Sequence, residues 1–170
     1  MRHFDDTLAY IDRLQRASTA EAICRELLDV TSNHGLTALM AGTVPNPNTP
    51  ISHQKNHVML CDWPVEWLQR YVAQNHVDHD PVVDHMKSLQ EPFHWRESAT
   101  RALVDRDSIR VMGDAAEFKL REWLAFPLVT LDGTIVMVSL GGEAVELSNA
   151  EFNMISLAST YAIGRAMQLQ

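Results

Sequence analysis

The segment from residue 75 to residue 86 reads NHVDHDPVVDHM and interleaves three histidines with three aspartates. Imidazole and carboxylate groups can ligate a transition metal, and they can also exchange protons as a catalytic pair. A zinc or iron site needs three or four such groups converging on one point. Pro81 disfavours a helical conformation at Asp80 and so interrupts any shared helical face. We therefore expect no metal here and keep an enzyme that uses the His and Asp residues of 76–85 only as an alternative.

Asp80 has a simpler local role, because aspartate is a favoured helix N-cap and proline suits the first position of a helix. The pattern predicts a helix that begins at Asp80-Pro81 and carries Val82, Val83 and Met86. The histidines around it are interpreted as partly exposed. No nucleophile elbow, cysteine signature or glycine-rich phosphate loop indicates an enzyme.

A second group of residues with chemical potential lies upstream, where Trp63, Trp67 and Tyr71 recur every four residues on one face of a predicted helix. Such a stripe is more often core than ligand pocket. Indole N–H and phenol O–H groups require partners when they are buried, however. Three of them on one face therefore predict a polar group beside them. The helix is predicted to begin at Asp62-Trp63-Pro64.

The elements that must position these residues follow from periodicity, capping signals and turns. Before the two helices above, the pattern predicts an N-terminal helix, a helix from a Ser18-x-x-Glu21 capping box to Gly35, a strand in 36–42, a surface loop in 44–56 and a strand at 58–61. After them it predicts an extended segment at 93–95, a helix from about Ser108, a hairpin at Asp132-Gly133 and a final helix from a Ser148-x-x-Glu151 capping box. This order predicts an α+β fold, an α/β/α sandwich whose antiparallel sheet of about five strands carries helices on both faces.

Composition limits the class of protein. The 170 residues are 46% hydrophobic and 21% charged, which suits one domain over residues 1–170 with a two-sided core. The formal net charge of −8 and the 14 scattered basic residues disfavour DNA binding by this chain alone. The two cysteines have no metal-type spacing and fit a reducing cytoplasm. No segment signals export or membrane insertion, so we expect a soluble cytoplasmic protein.

These spacings resemble a known family, the autoinducer-binding domain of LuxR-type quorum-sensing transcriptional regulators. The run WPVEWLQRY at 63–71 is followed by Asp80 nine residues after its tyrosine, and by Trp95 fifteen residues later, in the register of that family. The FPL segment at 126–128, the Asp-Gly turn and Ser139 correspond as well. The resemblance covers essentially the whole chain, and it implies the α/β/α fold.

The resemblance also implies a role for each matching residue. Trp67 corresponds to an indole that donates to the carbonyl of a homoserine lactone ring, and Asp80 to a carboxylate that accepts from the ligand amide N–H. Tyr71 corresponds to a tyrosine that packs beside the acyl amide. Trp95 corresponds to a ring that closes over the lactone, and Ser139 to a hydroxyl near the amide oxygen or the 3-position oxygen.

The expected ligand is therefore an acyl- or aryl-homoserine lactone in a mostly apolar, buried pocket, with no catalytic residue, no metal and no other cofactor. The remaining predicted site residues are Trp63, Val82, Val83 and Met86. Trp63 stands where the family often has a tyrosine. Trp123 and Lys119 stand where it usually has glycines, and a bulky indole at 123 is expected to change local packing or pocket volume.

The family's helix-turn-helix DNA-binding domain has no counterpart in these residues, so DNA contact is expected only through a domain outside them. The resemblance implies a homodimer, and we expect Met154, Leu157, Tyr161 and Ile163 to leave apolar surface on the final helix for self-association. The chain is either the ligand-binding part of a longer regulator or a natural single-domain relative. In the second case it would inhibit a full-length regulator by forming mixed dimers with it.

Overall fold

The structure, a computed structural model, describes residues 2–46, 48–89, 91–96 and 105–170, and the side chains of 2–4 and 89 are outside that description. The helices are α1 (Arg2–Arg16), α2 (Ala20–Thr31), α3 (Ile51–Gln54), α4 (Val65–Ala73), α5 (Pro81–Leu89), α6 (Arg106–Glu117) and α7 (Asn149–Gln168). The strands are β1 (Ala38–Thr43), β2 (Val58–Asp62), β3 (Phe93–His94), β4 (Glu122–Val129) and β5 (Ile135–Gly142). Within these ranges, no helix is both long and apolar enough to cross a membrane.

The five strands form one sheet in the order β2-β1-β5-β4-β3, and every neighbouring pair is antiparallel. The predicted antiparallel sheet of about five strands is thus confirmed for the described residues. The predicted hairpin is also confirmed, since β4 and β5 pair along their length across the turn that contains Gly133. Gly133 adopts a φ of 84°, a left-handed conformation that glycine reaches without steric cost.

The sheet separates two hydrophobic cores, because successive side chains of a strand point to opposite faces. Leu124 and Phe126 of β4 pack into an aliphatic core with α1, α2 and α7. Trp123 and Ala125 of the same strand pack into a second, aromatic-rich core with α4, α5 and α6. Helices therefore cover both faces of the sheet, as the predicted α/β/α sandwich requires.

Two helix starts differ from the sequence prediction by one residue. The N-cap of α2 is Thr19, whose Oγ1 accepts from the Ala22 N–H at 3.1 Å, so the predicted Ser18 capping box is wrong. Thr19 takes the extended conformation that a cap needs, with φ −137° and ψ 158°. Pro64, predicted as the first residue of α4, is its N-cap because its ψ of 131° is extended.

The predicted surface loop at 44–56 is wrong in its second half. Pro50 precedes α3, and its carbonyl accepts from the His53 N–H at 2.8 Å. A 3-10 turn at Lys55–His57 follows directly. The prolines suggested a loop, but the φ of Pro50, −55°, also suits the start of a helical turn.

The final helix begins as predicted. Ser148 Oγ accepts from the Glu151 N–H at 3.3 Å, and Glu151 Oε2 accepts from the Ser148 N–H at 2.8 Å, which completes the capping box. Ile163, predicted to be exposed, is only 3% exposed. The reason is that α7 packs against α1 and α2 as well as the sheet, so its buried face is wider than one stripe. Leu157 and Tyr161 are exposed as predicted, as is Met154.

Helix α6 ends in a Schellman motif that requires a left-handed residue. The Leu120 N–H donates to the Ala115 carbonyl and the Lys119 N–H to the Ala116 carbonyl, each at 3.2 Å. Lys119 lies at the left-handed position with φ 61°, and the side chains of Leu120 and Ala115 are both buried beneath it. This geometry explains why glycine suits position 119 in the family that the sequence resembles.

We predict that Lys119→Gly raises the free energy of unfolding by roughly 0.5–1 kcal/mol, because relief of the left-handed strain exceeds the extra chain entropy of glycine. Urea denaturation followed by circular dichroism measures the change. Lys119→Ala is the matched control, since it removes the charge and keeps the Cβ. A gain in both variants would assign the effect to charge and contradict the backbone argument.

Candidate functional site

A cavity of about 690 Å³ lies between the sheet and helices α4 and α5, and the segment 51–58 covers it. We call it the main cavity. Most of its wall is apolar, and the apolar side chains include Met40, Val44, Ile51, Leu68, Val72 and Met137. Cys61 also lines it, and burial raises the pKa of this thiol, which keeps the side chain neutral. Its volume and apolar wall are those of a small-molecule site.

Strand alternation produces the sheet wall of the main cavity. Met40 and Gly42 of β1 face the cavity, whereas Leu39 and Ala41 lie in the aliphatic core on the opposite face. Gly42 lets the covering segment approach, because a Cβ at this position would lie 2.0 Å from the His57 carbonyl oxygen. Any larger residue at 42 would push the covering segment away from the strand.

A second, smaller cavity of about 20 Å³ adjoins the main cavity beside α4 and α6, and we call it the inner recess. Four residues line both spaces and therefore mark their junction: Trp63, Asp80, Val82 and Ser139. Trp67 and Trp123 line the inner recess but not the main cavity. The recess is completed by Val111, Met112 and Ala115.

Three indole N–H groups of this region are buried without a hydrogen-bond partner among the described residues, those of Trp63, Trp67 and Trp123. The Trp63 ring lies 5.7 Å from the Trp67 ring and 6.0 Å from the Trp123 ring, measured between centroids. A buried donor without an acceptor costs about 1–3 kcal/mol. All three indoles line the inner recess, so the site is arranged for an occupant that carries acceptors.

Asp80 supplies the carboxylate of the site and also begins α5, as predicted. Its Oδ1 accepts from the Val82 N–H at 2.8 Å and more weakly from the Val83 N–H at 3.4 Å. Its Oδ2 accepts from the Tyr71 hydroxyl at 2.7 Å. Burial raises the pKa of Asp80, and the three hydrogen bonds oppose that shift by stabilising the charged form. The Tyr71 pKa is raised by burial first and by the Asp80 charge second.

The structure brings most of the predicted site residues to these two spaces. Tyr71 and Val83 line the main cavity, in addition to the junction residues and Trp67 described above. Met86 and Trp95 are buried in the aromatic-rich core on the same face of the sheet, and neither lines the main cavity or the inner recess. A ligand contact for these two residues stays a prediction.

The histidines of the opening segment point to different neighbours. His76 is 3% exposed, so the prediction of partial exposure is wrong for it; its Nε2 lies 2.9 Å from an Asp114 carboxylate oxygen. The centroid of the His76 ring lies 5.8 Å from that of Trp67 and 5.7 Å from that of Tyr71, so the imidazole packs against both rings of the aromatic stripe. His85 packs edge-on against Phe93. Across the described part of the chain, no group of three or more His, Cys, Asp or Glu side chains is placed to hold a metal.

Sequence reasoning did not find the strand and loop walls of the site. The missed residues include Met40, Met137, Ile51, Gln54 and His57. Strand alternation could have placed Met40 and Met137 on one face if the register of β1 against β5 had been known. Met40 pairs with Ser139, and Met137 lies two residues before Ser139 on β5. The loop residues carry no local signal for a pocket wall.

Comparison with known proteins gives a consistent result. A family model described as the autoinducer binding domain matches residues 19–169. The quorum sensing-dependent transcriptional regulator RpaR of Rhodopseudomonas palustris is 30% identical over 162 residues, which cover 95% of this chain and 65% of RpaR. The chain therefore spans slightly less than two thirds of that relative's length.

Solved structures agree on the fold. SdiA in complex with octanoyl-rac-glycerol superposes with a TM-score of 0.75 at 17% identity, over 99% of this chain and 68% of that one. The N-acylhomoserine lactone dependent factor CepR2 of Burkholderia cenocepacia superposes with a TM-score of 0.66 at 22% identity, over 95% and 94% of the two chains. At these identities the likeness establishes the fold alone.

We predict that Tyr71→Phe raises the pKa of Asp80 further, because it removes the hydroxyl that donates to the carboxylate and leaves burial in place. Carbon-13 NMR titration of the Asp80 carboxyl group measures the change. Since the folded pKa lies above the unfolded one, the contribution of this group to stability is present at low pH and lost as the pH rises through the folded pKa. The variant should lose more stability over that rise than the wild type.

Tyr10→Phe is the matched control for this measurement. The Tyr10 hydroxyl donates to the Ala158 carbonyl on the other face of the sheet, so its loss should not move the Asp80 pKa. An equal pKa in wild type and Tyr71→Phe would show that the phenol does not stabilise the carboxylate.

Proposed function

Since the chain belongs to the autoinducer-binding domain family of LuxR-type quorum-sensing regulators, we propose that it senses an acyl- or aryl-homoserine lactone in the main cavity and the inner recess. The observation that carries this proposal is the buried Asp80 carboxylate at the junction of an apolar cavity and a recess lined by unpartnered indole donors. Few ligand classes combine a long apolar tail, one amide N–H and several carbonyl oxygens in a single chain of atoms. An N-acyl homoserine lactone does.

The complementarity follows the order of groups along such a ligand. The amide N–H meets Asp80, the acyl or aryl group lies in the main cavity, and the lactone ring lies toward the recess, where the Trp67 N–H donates to its carbonyl. Ser139 lines the junction, and in this proposal its hydroxyl lies near the amide oxygen or a 3-position oxygen. Burial of the apolar tail supplies most of the affinity, and the polar groups fix the orientation.

The regulatory consequence of ligand binding is also part of this proposal. The family is a ligand-binding domain of transcriptional regulators, so ligand occupancy in this chain is proposed to control transcription in the cytoplasm. Contact with DNA is assigned to a helix-turn-helix domain outside these residues, because this chain is acidic, with a net charge of −8. The alternative output is inhibition of a full-length regulator through mixed dimers.

Either output requires self-association or association with a related chain, and α7 offers the surface. Leu157 and Tyr161 are 51% and 47% exposed, and Met154, on the same side of the helix, is 39% exposed. An apolar patch of this kind on a helix is typical of an interface. We propose that this face of α7 takes part in a dimer.

We predict that Asp80→Asn weakens binding of a homoserine lactone by roughly 10- to 100-fold, because loss of a charged acceptor for a buried N–H costs about 1.5–3 kcal/mol. The asparagine carbonyl can still cap α5, so the fold is preserved. Asp84→Asn is the matched control on the same helix, since the Asp84 side chain is 62% exposed. Isothermal calorimetry and the ligand-dependent rise in thermal midpoint report the affinities. Equal losses in both variants would contradict the role of Asp80.

We predict that Tyr161→Glu shifts the ligand-loaded protein from dimer to monomer, because it places a charge in the apolar face of α7. Light scattering over a range of protein concentrations measures the molar mass. Ile109→Glu, at an exposed apolar position of α6 over the opposite face of the sheet, should leave the mass unchanged. A wild-type protein that is monomeric at every concentration would exclude this surface as the interface.

A further inference from the structure

Trp123 forms the sheet wall of the inner recess, and its position depends on a glycine in the neighbouring strand. Trp123 of β4 pairs with Gly141 of β5, and a Cβ at 141 would lie 2.6 Å from the indole ring. The ring therefore lies across the bare backbone of β5. Trp123 is 5% exposed, and its N–H has no acceptor among the described residues.

The two cavities divide the indoles into two groups. Trp63 lines both spaces, whereas Trp67 and Trp123 line the recess alone. Beyond the junction residues Asp80 and Ser139, the other recess side chains are apolar. The part of a ligand that passes the junction therefore meets two indole N–H donors, and the side chains that line the recess offer no oxygen or nitrogen acceptor other than those of Asp80 and Ser139.

From this arrangement we propose that Trp123 determines specificity by recognising the ester group of the ligand head group. A lactone presents two ester oxygens, the carbonyl oxygen and the ring oxygen, and the two indoles that line the recess alone, Trp67 and Trp123, present two donors. With Trp67 on the carbonyl oxygen, the Trp123 N–H donates to the ring oxygen. This inference rests on the proposed function, because it takes a homoserine lactone as the ligand.

The size of the recess adds a requirement. A volume of about 20 Å³ holds about one water molecule, and one water oxygen can accept from two N–H groups at most. It cannot satisfy three indoles. A five-membered ring is larger than this space, so the head group enters only when the indoles move apart. Entry of the ring therefore breaks contacts between the indole rings and forms hydrogen bonds from indole N–H groups to the ester oxygens. A head group without ester oxygens breaks the same contacts and forms no such hydrogen bonds.

The test compares three probes that share an octanoyl amide: the homoserine lactone, the homocysteine thiolactone and the cyclopentyl amide. The thiolactone keeps the carbonyl and replaces the ring oxygen by sulfur, a weak acceptor. The cyclopentyl amide lacks both ester oxygens. Binding of each to wild type and to Trp123→Phe is measured by calorimetry. Phenylalanine keeps an aromatic ring against Gly141 and removes the N–H.

We predict that Trp123→Phe loses about tenfold in affinity for the lactone, as expected for one buried hydrogen bond, and less than about twofold for the other two probes. Trp67→Phe is the companion variant, which should lose affinity for the lactone and the thiolactone alike, because both keep the carbonyl. An equal loss of affinity for all three probes in Trp123→Phe would show that Trp123 only packs. No loss for any probe would also overturn the inference.

A second measurement needs no substitution at 123. The chain has four tryptophans, so nitrogen-15 labelled wild type gives four indole N–H resonances. Two of them should shift to lower field with the lactone, and neither should do so with the cyclopentyl amide. A single shifted resonance would overturn the role of Trp123. A wild-type protein that binds none of the probes, in calorimetry or by thermal shift, would instead overturn the proposed function on which this inference rests.

Discussion

The polar end of the site depends on one desolvated carboxylate. Asp80 is held by backbone N–H groups of α5 on one side and by the Tyr71 hydroxyl of α4 on the other. These hydrogen bonds link two helices that also share the aromatic-rich core. The cap fixes where α5 begins, and hence where Val82 and Val83 meet the cavity. The phenol fixes the face of α4 that carries Trp67. Loss of this carboxylate would remove both constraints together.

The two faces of the sheet serve different purposes. The face under α1, α2 and α7 holds mainly aliphatic side chains, and their burial is the usual source of stability. The opposite face holds aromatic rings and leaves the cavity and the recess beside them. Because β5 is buried on both sides, it ties the two layers together. A site with unpartnered donors is tolerated since the other layer supplies most of the packing.

Local signals in the sequence were sufficient for much of this architecture. The Asp-Gly hairpin, the Ser148 capping box and the Asp80 cap each depend on residues a few positions apart, and all three are confirmed. The prediction of a polar neighbour for the aromatic stripe is confirmed for Tyr71, which donates to Asp80, whereas the N–H groups of Trp63 and Trp67 have no partner among the described residues. Local signals did not predict burial that depends on packing between elements far apart in the sequence. Ile163 is buried by helices α1 and α2 rather than by its own pattern.

The cavity walls show the same limit. Met40 faces the site only because β1 pairs with β5 in a particular register, and Trp123 fits only because that register of the hairpin places Gly141 opposite it. The register of β1 against β5 joins segments that are far apart in the sequence, so no short window contains it. The covering segment at 51–58 is positioned by the contact of His57 with Gly42, which is again a contact between separate parts of the chain.

The contacts between α1 and α7 have a consequence for biosynthesis. The Tyr10 hydroxyl donates to the Ala158 carbonyl, and the Arg165 guanidinium donates to the Ala17 carbonyl, each across 148 positions of the sequence. During translation, α1 and α2 leave the ribosome long before the helix that completes their core. The parts of their aliphatic faces that α7 covers stay exposed until α7 emerges, and in that interval aggregation competes with folding. The yield of folded protein in the cell is therefore expected to depend on how quickly the last helix docks.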